Sequence, residues 1–233
     1  RLALEKKTEE VREQLIRAIR LVGVITIPSA VAFLLFGPLI TSVLFIGIPL
    51  EDSRYIGYVL AALSFGLVAF SINLILIRGF NAFEDTRTQV ISILIINIIA
   101  VGLSYLSLAT LRNQWVTIGL GAAFSISYLL GLFVTLSLLK KHTGKISLKD
   151  FGGQHLRLFG ASFGVMLPLF ALTQYLDWVG VEMSKIARLG ELAVVMGAAF
   201  IGYLIAGKAA GVEEITMIRH LKNSVLRRPG AAE

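Results

Sequence analysis

The sequence predicts an all-α integral membrane protein, a bundle of six transmembrane helices. Six long stretches without a charged residue divide the 233-residue chain: Leu21–Ile46, Tyr55–Ile77, Thr88–Leu111, Trp115–Leu139, Leu158–Leu176 and Leu192–Gly207. A helix needs about 20 apolar residues to cross hydrocarbon, and the first five stretches meet that length. The sixth does so by drawing in Leu189 and Gly190, or by thinning the bilayer around it. Lys and Arg supply the second observation. They number six before the first span, two in 78–87, five in 140–157 and five after 207, against one in 47–54, one in 112–114 and two in 177–191. These two sets of connections alternate along the chain, so the asymmetry places both chain ends in the cytoplasm. The net charge of +7 is then a topology and leaflet signal. Without a stacking aromatic array or a recognition module, it excludes nucleic acid as a partner.

Residues 1–20 read as a cytoplasmic amphipathic connector helix. Leu4, Val11, Leu15 and Ile19 share one stripe, and Glu5, Glu9, Arg12 and Glu13 fall elsewhere. The segment is expected at headgroup level before it turns into the first span, with Arg17 and Arg20 reaching phosphates. Residues 21–139 form a four-helix unit. Its first span carries Pro28 and Pro38, and Pro168 lies in the fifth. Each removes a backbone donor and crowds the preceding turn, so these three are hinge candidates. In a membrane the freed carbonyl needs a neighbour, a side chain or a cavity to satisfy it.

The connection 112–114 is short enough to make a tight helical hairpin. Residues 140–157 form a basic cytoplasmic linker with Lys140, Lys141, Lys145, Lys149 and Arg157. Anionic lipids attract such a segment by about 1 kcal/mol per basic residue. Residues 158–207 supply the final two helices, and 208–233 a basic cytoplasmic tail. Small residues at Gly119 and Ala123, at Gly160 and Gly164 in a G-x-x-x-G frame, and at Gly197, Ala198 and Gly202 are expected to let helix backbones approach.

No Asp, Glu, Lys or Arg stands in the middle of a span, so an ion-coupling site is not expected in this segment. Asn73 and Asn97 sit partway through neighbouring antiparallel spans. Interhelical hydrogen bonds worth about 0.6 kcal/mol each are the expectation for both, with a hydrophilic cavity as the alternative. There is no Cys, and His142, His155 and His220 lack a second ligand at helical spacing, so no metal site is expected. Nucleophile elbow, H-E-x-x-H and phosphate-cradling Gly loop are all missing, and the Glu51/Asp52 and Glu84/Asp85 pairs lie on opposite sides of the membrane. The sequence thus argues against an enzyme and implies no cofactor.

Between the second and third spans runs Arg78-Gly79-Phe80-Asn81-Ala82-Phe83-Glu84-Asp85-Thr86-Arg87-Thr88-Gln89. Physically this is a sharp turn in which Asp85, Thr86 or Thr88 can cap the third helix, and Thr86 with Gln89 has capping-box spacing. Arg78 sits near the negative end of the second helix's dipole, and Arg87 is expected to pair with Glu84 or Asp85. The same run resembles the R-x-F-Y-A-x-x-D-T-R-T-P signature of the MurJ (MviN) lipid II flippases, in the multidrug/oligosaccharidyl-lipid/polysaccharide exporter superfamily. Upstream, Ile27-Pro28-Ser29-Ala30, Gly37-Pro38-Leu39-Ile40, Leu44-Phe45-x-Gly47 and Ser64-Phe65-Gly66-Leu67 are similar to further family patterns. The similarity is specific over about residues 20–90. Asn81 stands for the usual Tyr, Gln89 for the usual Pro, and Pro49 where an aromatic is expected.

By that resemblance the chain is a fragment of a fourteen-helix, two-lobed transporter, its last six helices. The chain opens on Arg1 and stops after Arg227-Arg228-Pro229-Gly230, which fits a piece of a longer protein. The implied activity is alternating-access movement of lipid II, the undecaprenyl-diphosphate-linked muropeptide, from the inner to the outer leaflet of the bacterial cytoplasmic membrane. The implied partners are lipid II, anionic membrane lipids, the missing N-terminal half, and cell-wall synthesis or division proteins. Arg78, Asp85, Thr86, Arg87, Asn73 and Asn97 are the candidate substrate or gate residues, and helices 158–176 and 192–207 are implied to border a groove for the polyprenyl tail. Alternative readings are a flippase of the same superfamily with another cargo (an O-antigen or polysaccharide lipid, a drug), or a transport-dead scaffold for cell-wall enzymes.

Overall fold

A computed structural model describes residues 2–45, 47–178, 185–212 and 214. Six helices follow one another: α1 (Leu2–Leu44), α2 (Leu50–Ala82), α3 (Thr86–Thr110), α4 (Asn113–Thr143), α5 (Lys149–Trp178) and α6 (Lys185–Ala209). All six contain a stretch long and apolar enough to cross a membrane. α6 starts upstream of Leu189, so Leu189 and Gly190 are inside a helix of 25 residues that extends about 37 Å. Most of the expected tail, His220 included, lies outside the described residues, as does the Leu4 side chain.

Two expected boundaries move. No turn separates the amphipathic segment from the first span, because α1 runs unbroken from Leu2 to Leu44. Leu15 and Ile19 are buried in a cluster with Leu76, Phe80, Leu139 and Phe151, so their stripe is covered by α2, α4 and α5 instead of headgroups. Likewise the basic linker is mostly helix. α4 continues to Thr143 and α5 begins at Lys149, leaving only residues 144–148 between them. Gly144, at φ 69° in the left-handed region, ends α4, and the Asp150 carboxylate accepts the Ser147 amide at 2.8 Å to start α5.

The centre of the bundle is α1, α2 and α4. At the α1–α2 crossing the backbones touch: a Cβ on Gly37 would stand 2.5 Å from the Gly57 carbonyl oxygen, and one on Gly57 would press on the Pro38 backbone. Thr41 seals the crossing by donating across it to Ser53 O at 2.6 Å. Gly66 similarly admits Ser125 of α4, whose hydroxyl donates to Ala62 O at 2.6 Å. α3 flanks α4, and α5 and α6 lean on α1.

The close packing expected of the α5 glycines is not made. A side chain at Gly160, Gly164 or Gly197 would meet nothing within 4 Å, whereas Gly202 does receive Val165 and Gly119 receives Leu111 and Ser107. The G-x-x-x-G frame lies on a face of α5 that no described residue covers.

Candidate functional site

The α2–α3 turn is built from burial on one side and capping on the other. Phe80 is fully buried, and Gly79 lets Leu15 and Leu139 close over the end of α2. Arg78 is left exposed on the opposite side of the helix. Phe83 ends α2, and Glu84 takes a left-handed conformation at φ 58° to reverse the chain. Asp85 is the N-cap of α3, accepting the Thr88 amide at 3.0 Å. Its other carboxylate oxygen meets His142 Nε2 of α4 at 2.7 Å, and the His142 ring stacks on Phe83 with centroids 5.2 Å apart. Bonds from Thr88, then from His142, hold the Asp85 carboxyl down to about 2.

Of the three possible caps Asp85 is the one used, and the Thr86–Gln89 capping box does not form. Gln89 donates its amide to Asp85 O at 3.3 Å, and its buried Oε1 has no partner among the described residues. Thr86 and Arg87 are exposed. The side-chain partner of Asp85 is His142, where Arg87 was expected to pair with Glu84 or Asp85. His142 sits 57 residues away from Asp85, and its place beside Lys140 and Lys141 in the last turn of α4 gave no sign of that partner.

The two intramembrane amides separate. Asn73 is buried and donates to Ala69 O at 2.9 Å and to Tyr128 O of α4 at 3.1 Å, while its carbonyl accepts from Thr135 at 2.8 Å. Thr135 in turn lies 2.8 Å from Ser92 of α3. Because the Thr135 proton is spent on Asn73, Ser92 is the donor, and the chain Ser92–Thr135–Asn73 ties three helices. Asn97 is exposed and returns its amide to Ile93 O of its own helix at 2.9 Å, so it makes none of the expected interhelical bonds. Ser92 and Thr135 went unnoticed in the sequence because a lone hydroxyl there is indistinguishable from one bonded to its own helix.

The prolines stay inside continuous helices. Pro28 deprives the Val24 carbonyl of its usual donor, and the Tyr203 hydroxyl of α6 donates to that oxygen at 2.7 Å. Pro38 does the same to Leu34, and both residues line a cleft of about 700 Å³ among α1, α2, α5 and α6. Gly164, which loses its donor to Pro168, faces the uncovered side of α5. The cleft's walls are apolar, with Leu35, Phe36, Leu39 and Phe170, and its mouth is charged. There Asp177 lies 3.4 Å from Arg54 and 3.7 Å from Arg188, beside Glu191. These residues come from the two connections 47–54 and 177–191, which sequence reasoning used only as charge counts. The α2–α3 turn and the α4–α5 connection meet at the other end of the bundle through Asp85 and His142.

The family model for the lipid II flippase MurJ matches residues 1–186, well beyond the segment 20–90 that carries the motifs. No curated protein matches the chain.

Proposed function

The chain belongs to the lipid II flippase MurJ family, and from that premise we propose that it supplies the last six helices of a flippase carrying undecaprenyl-diphosphate-linked muropeptide to the outer leaflet. It is a multi-pass bacterial membrane protein. The family match, which reaches through the whole of α1 to α5, carries this reading. In it the end bearing Asp85 and His142 faces the cytoplasm, as the excess of Lys and Arg there argues. α2, α3 and α4, joined by Asn73, Thr135 and Ser92, move as one body against the other lobe during alternating access, and the α2–α3 turn anchors the inner gate.

The cleft among α1, α2, α5 and α6 is the proposed seat of the polyprenyl tail. Its apolar walls match an isoprenoid, and its mouth lies at the outer headgroup level. The four charges at that mouth, Arg54, Arg188, Asp177 and Glu191, sum to zero. Such a cluster orients a diphosphate through the two guanidiniums without trapping it, which suits an exit. Gate and tail site lie at opposite ends of the same helices, so a tilt of α1 and α2 acts on both.

The full-length gene is expected to restore growth to a strain depleted of its own lipid II flippase, with newly made lipid II becoming accessible to an impermeant reagent outside. Failure there, together with rescue of a strain lacking an O-antigen flippase, would assign another cargo. Residues 1–233 reconstituted alone are expected not to move lipid II, since half a two-lobed carrier has no opposing face.

A further inference from the structure

At the mouth of the cleft one carboxylate stands between two guanidiniums. Asp177, near the end of α5, accepts on Oδ2 from Arg54 Nη2 of α2 at 3.4 Å, while its Oδ1 lies 3.7 Å from Arg188 Nη2 of α6. Each oxygen therefore serves a different helix. Both separations exceed the about 2.7–2.9 Å of a charge-assisted hydrogen bond, and the Asp177 and Arg54 side chains are half-exposed. Loose, hydrated pairs of this kind add little to stability.

The arrangement has the form of a ligand site. Two guanidiniums that converge on the two oxygens of one group can receive a phosphate in the same way, with oxygens on phosphorus in place of those on carbon. The long contacts leave the carboxylate easy to displace. Glu191 lines the same mouth, but among the described residues no ion pair joins it to either arginine. The two carboxylates thus carry equal charge and differ in position. Below them the apolar walls of the cleft begin, so an anion that reaches the arginines with an isoprenoid attached fills both parts.

We propose that Asp177 is a built-in competitor of the lipid diphosphate: its carboxylate and the diphosphate take turns on Arg54 and Arg188, and its return to both arginines speeds release of the headgroup. The arginines capture and Asp177 lets go. This rests on the cleft being the seat of the polyprenyl tail.

The test uses the full-length protein in nanodiscs loaded with undecaprenyl diphosphate, following by native mass spectrometry the loss of bound lipid to probe-free nanodiscs. Asp177→Asn is expected to slow that loss by about threefold, the scale of an exposed ion pair. Glu191→Gln removes the same charge without touching the bridge, so it should act on capture and leave the rate of loss nearly unchanged. In D177N/R54Q/R188Q the slowing should vanish, which places it at this mouth. Equal slowing by D177N and E191Q would show that net charge suffices and overturn the proposal. So would loss from D177N as fast as from the parent, or slowing that survives removal of both arginines. Displacement of the lipid by inorganic pyrophosphate at matched concentration would make a free anion the occupant and overturn the lipid assignment. Failure of the cleft reading has another signature: R54Q/R188Q alone would release the lipid as slowly as the parent, and the proposal would fall with that reading.

Discussion

Where α1 crosses α2 two backbones touch, but where α5 turns its glycines outward no described residue comes within 4 Å of a side chain placed there. In α1, α2 and α4 39% of the most apolar window is buried, against 22% in α5 and 17% in α6. The first trio is closely packed, closed by Gly37, Gly57 and Gly66 and by hydrogen bonds from Thr41, Asn73 and Ser125. The last pair is attached. It touches α1 through a cluster of Val31, Phe36, Met166, Val195 and Ala199 and through the Tyr203–Val24 bond, and it reaches α2 at the cleft mouth through Arg54 and Asp177. Close backbone contact transmits a tilt without loss, whereas a few side-chain ties let one element shift over another. The comparison therefore separates a closely packed part of this chain from a loosely attached one, and it is the loosely attached pair that the proposed function sets beside a lipid tail.

The sharpest way to break the comparison is to fill both kinds of glycine. Gly57→Val forces a branched side chain into the Pro38 backbone and is expected to cost at least about 1–3 kcal/mol, abolishing folded protein on size-exclusion chromatography. Gly160→Val should leave the thermal midpoint in detergent nearly unchanged, and equal damage from the two would erase the distinction drawn here. A smaller step is expected from Asn73→Leu, about 1–2 kcal/mol for three lost bonds, with Asn97→Leu neutral because that amide serves only its own helix. Next comes Tyr203→Phe. It strips the donor from the Val24 carbonyl at about 1 kcal/mol, and hydrogen exchange should quicken in α6 and around Pro28 while α2 and α4 keep their protection.

At the cleft mouth Arg54→Gln removes a half-exposed ion pair and is expected to shift stability by less than about 1 kcal/mol, an effect that fades as salt is raised. The least change is expected from Asp85→Asn, since Asn also caps helices. Its signature is the pH dependence. The carboxyl is depressed from 3.8 to about 2 in the folded protein, so its stabilisation is present above about pH 4 and is lost as pH falls through about 2. The variant should lose less stability than the parent across that window, read by thermal midpoints at stepped pH.

Much of the architecture was legible because it is a matter of solvent. Hydrocarbon demands uninterrupted apolar length, and the six stretches supplied it one by one. The gathering of 78–87 with 140–157, and of 47–54 with 177–191, followed from alternation alone. Asp85 was one of three caps that local spacing allowed. Other features required a partner remote in sequence: His142 for Asp85, Thr135 for Asn73, Tyr203 for the carbonyl that Pro28 orphans. Glycine was the least legible of all, since the motif-spaced Gly160 and Gly164 stayed open while Gly37 and Gly57, neither of them in a small-residue packing frame, made a backbone contact.

By itself, then, the sequence determined that this chain has six stretches able to cross the membrane, which end carries the positive charge, and the apolar middle of each helix, though not the ends of α5 and α6, which start about two turns earlier than the uncharged stretches do. These depend on one segment and its solvent. Only the tertiary structure decided which small residues meet, which polar groups pair, and that α1 is one uninterrupted helix. Those outcomes depend on which face each helix turns to its neighbours, and with lipid as apolar as the core, hydrophobicity alone does not choose that face.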